Sequence, residues 1–151
     1  MKKRWMILSA VLVVLFQGVL TSQYAQDVAT DAEKANQLRH AFAISVLRTL
    51  GTAEVTEHST YGSYSPWQTL VAHYSEYFDK FIAMHRQLLT GAHFADPPEI
   101  LPGWNLRMNI HIDGQGYDVL LRDITDEKCG YAALTDENGV IRQSKAIDCK
   151  I

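Results

Sequence analysis

The chain has 151 residues, with 14 Lys and Arg against 17 Asp and Glu, a formal net charge of −3 and two cysteines. Three of the basic residues, Lys2, Lys3 and Arg4, stand ahead of an apolar run, so the remainder carries 11 basic against 17 acidic residues, 11 − 17 = −6. An acidic chain with no Lys/Arg cluster offers no electrostatic footprint to a polyanion, which excludes nucleic acid as the expected partner.

From Trp5 to Phe16 there is no charge and one hydroxyl, Ser9, before Gln17 and Gly18 break the run. A helix that spans a bilayer needs about 20 apolar residues, and this stretch is shorter even when counted through Leu20. The pattern is that of a cleavable secretory signal over residues 1–25, with Ser22 and Ala25 as the best candidates for the last residue removed. Cleavage is favoured over anchoring, so membrane association is expected only if the segment is retained. Export predicts a periplasmic or extracellular protein, and residues 26–151 have the length of one globular domain.

Thr30 or Asp31 can cap a helix, after which Ala35, Leu38, Phe42, Val46, Leu50 and Ala53 recur every three or four residues. The opposite face is expected to carry Lys34, Gln37, Arg48 and Glu54 to solvent. A loop of small, hydroxyl and tyrosine residues follows around Gly62. Ser65 and Pro66 then read as a capping hydroxyl and a first helical position. This second helix is predicted to reach about Leu89, with Trp67, Leu70, Val71, Tyr74, Tyr77, Phe78, Phe81 and Leu88 as its buried stripe and Gly91 just beyond its end.

Pro97, Pro98, Pro102 and two glycines make residues 91–105 an irregular connector. Beyond it the apolar period becomes two. Leu106, Met108, Ile110 and Ile112 alternate with polar residues, the chain turns at Asp113–Gly116, and Tyr117, Val119 and Leu121 continue on a second strand. Residues 129–135 and 140–143 give a further hairpin around Asn138-Gly139. The fold class is therefore α+β: two helices packed on an antiparallel meander sheet of about four strands, after an N-terminal signal helix.

Cys129 and Cys149 both lie in the exported part, and an oxidising compartment makes a disulfide between them the natural expectation, with free thiols or a metal site as the alternatives. Such a bridge would close a loop of about 20 residues and contribute roughly 3 kcal/mol.

Two stretches, LRTLGTAEVTEHSTYGSYSP at residues 47–66 and GYAALTDENGVIR at residues 130–142, resemble the globular parts of bacterial type IV pilin-like proteins. In that family the first pattern ends the long amino-terminal helix and enters the loop before the sheet. The second is a hairpin with an aspartate-x-x-glycine turn near the carboxyl end. The prepilin start is absent, since Gly18 follows the apolar run and is followed by Val19, Leu20 and Thr21. The resemblance thus implies a pilin-like head exported by the general route, with partners among envelope, pilus or secretion-machinery proteins. The family's disulfide role carries over to Cys129 and Cys149.

Catalytic chemistry finds little support. His40, His58, His73, His85, His93 and His111 show no spacing suited to one metal ion, and Ser59, Ser63 and Ser65 near His58 sit in no nucleophile turn. No catalytic residue, metal or cofactor is expected, and the function predicted is a non-enzymatic structural or protein-interaction domain. The alternative is a periplasmic small-ligand module on the aromatic face of the second helix, with Tyr61, Tyr64, Tyr74 and Trp104 lining the site. A secreted hydrolase using His58 or His111 ranks last, because it requires a carboxylate and a nucleophile to converge on one imidazole within about 3 Å.

Overall fold

The computed structural model describes the backbone of residues 2–125, 127 and 130–145, and the side chains from Asp31 onward within that set. The side chains of residues 1–25, where a secretory signal is expected, and both Cys129 and Cys149 with their expected bridge, lie outside the described residues. By internal contacts the chain falls into two units, residues 1–39 and residues 40–151. Among the described residues, no helix is long and apolar enough to cross a membrane.

The first helix, α1, runs Lys2–Tyr61, well ahead of the start expected at Thr30 or Asp31. In the second unit its buried stripe is Phe42, Ala43, Val46, Leu47, Leu50 and Ala53, whereas Leu38, expected on the same stripe, is exposed. The helix stops at Tyr61 because Gly62 adopts φ 80°, and the Gly62 N–H donates to the His58 carbonyl at 2.8 Å. A left-handed glycine of this kind satisfies an orphan carbonyl of the last turn at no Cβ cost.

The second predicted helix is two. Helix α2 covers Trp67–His73 and α3 covers Ser75–Met84, separated by Tyr74 at φ −117° and ψ 28°. Helix α3 ends five residues before the predicted Leu89, where His85 takes φ −105° and its Nδ1 bonds the Phe81 carbonyl at 2.9 Å. The break changes the stripe. Trp67, Leu70, Phe78 and Phe81 are buried as expected, but Tyr77 and Leu88 are exposed.

Among the described residues five strands follow: β1 Glu99–Leu101, β2 Trp104–Ile110, β3 Tyr117–Asp123, β4 Ala132–Asp136 and β5 Arg142–Ser144. They form one antiparallel meander in the order β1-β2-β3-β4-β5. Strand β1 lies inside the segment read from sequence as irregular. Its origin is Pro102-Gly103, with Gly103 at φ 80°. Proline followed by a positive-φ glycine is the central pair of a type II turn, and this turn folds Leu101 back onto Trp104.

Alternation along the strands decides the layers. Trp104 and Leu106 from β2, Tyr117, Val119, Leu121 and Asp123 from β3, and Ala133 and Thr135 from β4 are buried. The outer positions Arg107, Asn109, Asp118 and Arg122 are exposed, while Leu120 and Leu134 are half-buried. The core lies between the inner sheet face, the 42–53 face of α1 and the pair α2–α3. Phe42 joins the layers, its ring 5.9 Å from both Phe81 and Trp104. Burying a ring of this size contributes roughly 1.5–3 kcal/mol.

Candidate functional site

The most unusual chemistry sits where α1 ends. Counting on from Ala43, Leu47 and Leu50 in steps of three and four brings the same helix face to Glu54 and Glu57, so two carboxylates continue an apolar stripe. Both are buried, at 0% and 1% exposure. Glu54, expected to face solvent, therefore belongs to the core side.

The loop after α1 and the end of α2 answer these carboxylates. The Ser65 backbone N–H donates to Glu54 Oε2 at 3.1 Å, and the Ser65 hydroxyl donates to Glu57 Oε1 at 2.8 Å. Ser65 is thus not the side-chain cap of α2, whose first turn has no such cap. His73 Nδ1 stands 3.1 Å from both Glu57 oxygens, and Tyr74 also acts on this carboxylate. The non-helical backbone at Tyr74 lets His73 and Tyr74 converge on one carboxylate. Glu54 Oε1 is buried without a hydrogen-bond partner.

These surroundings drive the two acids apart. Burial raises the Glu54 carboxyl from 4.5 to about 7, assisted by the Glu57 charge and opposed by the Ser65 N–H. Burial also pushes Glu57 up, but bonds from His73, Ser65 and Tyr74 and the His73 charge outweigh it and hold Glu57 below its ordinary value. Burial, then the bond to Glu57 and the nearby carboxylate charges, raises the Tyr74 hydroxyl. Tyr117, on β3 below Glu54, is pushed up to about 12 by burial and next by the Glu54 charge.

Separated acidities of this type are the pattern of an acid–base pair. Here, however, Glu57 is engaged by Ser65 and His73 and Glu54 is enclosed, so neither presents a free oxygen to a substrate. The arrangement works as a polar latch that ties the loop 62–66 and α2 to the end of α1. Among the described residues, no group of three or more His, Cys, Asp or Glu is arranged to hold a metal ion.

The residues singled out from sequence divide. Tyr61, Tyr64 and Tyr74 gather around this end of α1: the Tyr61 ring lies 5.3 Å from His73, and Tyr64 stacks on His58 at 4.5 Å and meets Tyr117 edge-on at 4.9 Å. Trp104 does not join them. It is 2% exposed, packed on Phe42 and Tyr131, at the opposite end of β2 from the residue that pairs with Tyr117. His58 bonds Gln115 at 3.1 Å and His111 bonds Asp118 at 3.1 Å.

Hollows are formed elsewhere among the described residues, two of them well defined. One of about 490 Å³ lies along α1 between Leu47, Gly51 and Val55 and the residues Glu137, Gly139 and Ile141. The other, of about 380 Å³, is on the outer sheet face over Leu120 and Leu134. Neither is lined by Tyr61, Tyr64, Tyr74 or Trp104. Comparison of the chain with known protein families, with curated proteins and with solved structures finds no match.

Proposed function

We propose that the chain is an exported, non-enzymatic structural or protein-interaction domain resembling a type IV pilin head. The observation that carries this reading is the order of the fold: a long first helix, then a loop and the two short helices α2 and α3, then a meander sheet in sequence order that shares its core with residues 42–53 of the first helix. Residues 47–66 cover the end of α1 and the loop after it, and residues 130–142 cover β4 and the turn at Gly139, φ 71°. Partners are then envelope, pilus or secretion-machinery proteins.

The small-ligand alternative draws less support, since Trp67, Phe78 and Phe81 of the aromatic face are spent on the core, with Phe94 against all three rings. The test is cross-linking in the native host followed by envelope fractionation. Recovery of the chain from the envelope, joined to pilus or secretion-machine subunits, is the expected result. A chain confined to the cytoplasm, or an envelope chain joined to nothing while a small molecule copurifies, overturns the proposal.

A further inference from the structure

The outer face of the sheet carries charge that the domain does not compensate. Register places Arg107, Leu120, Leu134 and Arg142 side by side across β2, β3, β4 and β5. Arg122 stands diagonal to Arg107, opposite Asn105. The two leucines floor the hollow of about 380 Å³, and Arg107 and Arg142 bound it. The carboxylates on this face are already engaged: Asp118 with His111 at 3.1 Å and Asp136 with Arg142 at 3.1 Å. Among the described residues neither Arg107 nor Arg122 has a carboxylate partner.

We infer that this face docks an extended acidic segment of a partner protein, with one apolar side chain seated on Leu120 and Leu134 and carboxylates on either side of it. The spacing selects the conformation. Three strand intervals separate Arg107 from Arg142, roughly 14 Å. Residues two before and two after a central residue are about 13 Å apart in an extended chain but only about 6 Å along a helix axis. One carboxylate meets Arg107 and Arg122, whose Cβ atoms are diagonal neighbours about 7–8 Å apart, and the other shares Arg142 with Asp136. A continuous polyanion fits poorly, because Asp118 and Asp136 interrupt the face and residues 26–151 are near −6. The inference rests on the interaction-domain reading and names the chemistry of its partner.

The probe is an end-blocked peptide with glutamates two residues on either side of a leucine in a serine background, titrated into the isotope-labelled full chain. Saturable NMR shifts confined to Arg107, Leu120, Leu134 and their neighbours are expected, and they should fade as salt is raised to 0.5 M. The lysine counterpart of the peptide should not bind. The double reversal R107E/R122E, at exposed positions, should weaken binding at least tenfold. Should it misfold, R107Q/R122Q, checked by circular dichroism, should show the same direction.

No shifts at millimolar peptide, equal binding of the lysine peptide, or unchanged affinity in the double variants overturns the inference. Tighter binding of a single-stranded oligonucleotide at the same amides also overturns it. Peptide binding by a protein that stays in the cytoplasm would retain the docking face and discard the pilin-like reading. An envelope protein that ignores the peptide would do the reverse.

Discussion

Glu54→Gln isolates the energetic cost of the buried acid. In the unfolded chain the carboxyl titrates at its ordinary 4.5, and in the folded protein at about 7. A folded-state pKa that is raised contributes stability in full below the unfolded value, and this contribution is lost as pH rises through the folded one. The window is therefore pH 4.5 to 7, and the loss across it is about 3 kcal/mol at 1.36 kcal/mol per pH unit of difference. Glutamine keeps an oxygen for the Ser65 N–H and carries no charge, but sets an amide NH₂ where Glu54 Oε1 has no partner, at a cost of about 1 kcal/mol. Urea unfolding followed by the fluorescence of Trp67 and Trp104, both buried, should find the variant about 1 kcal/mol less stable than wild type at pH 4.5 and about 2 kcal/mol more stable at pH 8.5. Titrating groups that do not feel the Glu54 charge are common to both proteins and cancel, and Tyr117, which does feel it, titrates at about 12, above the range compared. A difference between variant and wild type that does not change with pH would refute the reasoning, because Glu54 would then ionise alike in both states.

Phe42→Ala removes the ring shared by α1, α3 and β2 and should cost about 3–5 kcal/mol, read as a lower denaturation midpoint at unchanged slope. Gly62→Ala puts a Cβ at φ 80° in open space, so the loss should be backbone strain alone, about 1–2 kcal/mol by the same assay. Asp118 is the main cause of the raised His111 pKa; in Asp118→Asn the His111 ring protons should titrate at lower pH by NMR, while the fold is kept.

Where one periodicity governs a segment, its structure was legible in the sequence. Tyr117, Val119 and Leu121 alternate cleanly, and β3 buries those side chains, with Asp123 continuing the same face. Phe42, Val46, Leu50 and Ala53 repeat at helical spacing and are all core. The misses have local causes. Tyr74 leaves helical geometry where His73 and Tyr74 turn to Glu57, a tertiary demand that no repeat in the helix announces. The prolines of residues 91–105 masked β1, although Pro102-Gly103 was itself a turn signal. Glu54 was placed on the solvent face because of its charge, and Glu57 drew no reading at all. Their spacing from Leu47 and Leu50 was the available clue, but their partners Ser65 and His73 come from elements that only the fold brings near.

Export and an oxidised carboxyl-terminal region together underlie the pilin-like account, and one intact-mass measurement tests both. The chain should be isolated from the envelope of its native host and weighed without reductant. The account predicts loss of residues 1–25 or a segment close to it, and a mass two hydrogens below that of the remaining chain, from joining Cys129 to Cys149. A full-length chain of 151 residues with both thiols intact would contradict it.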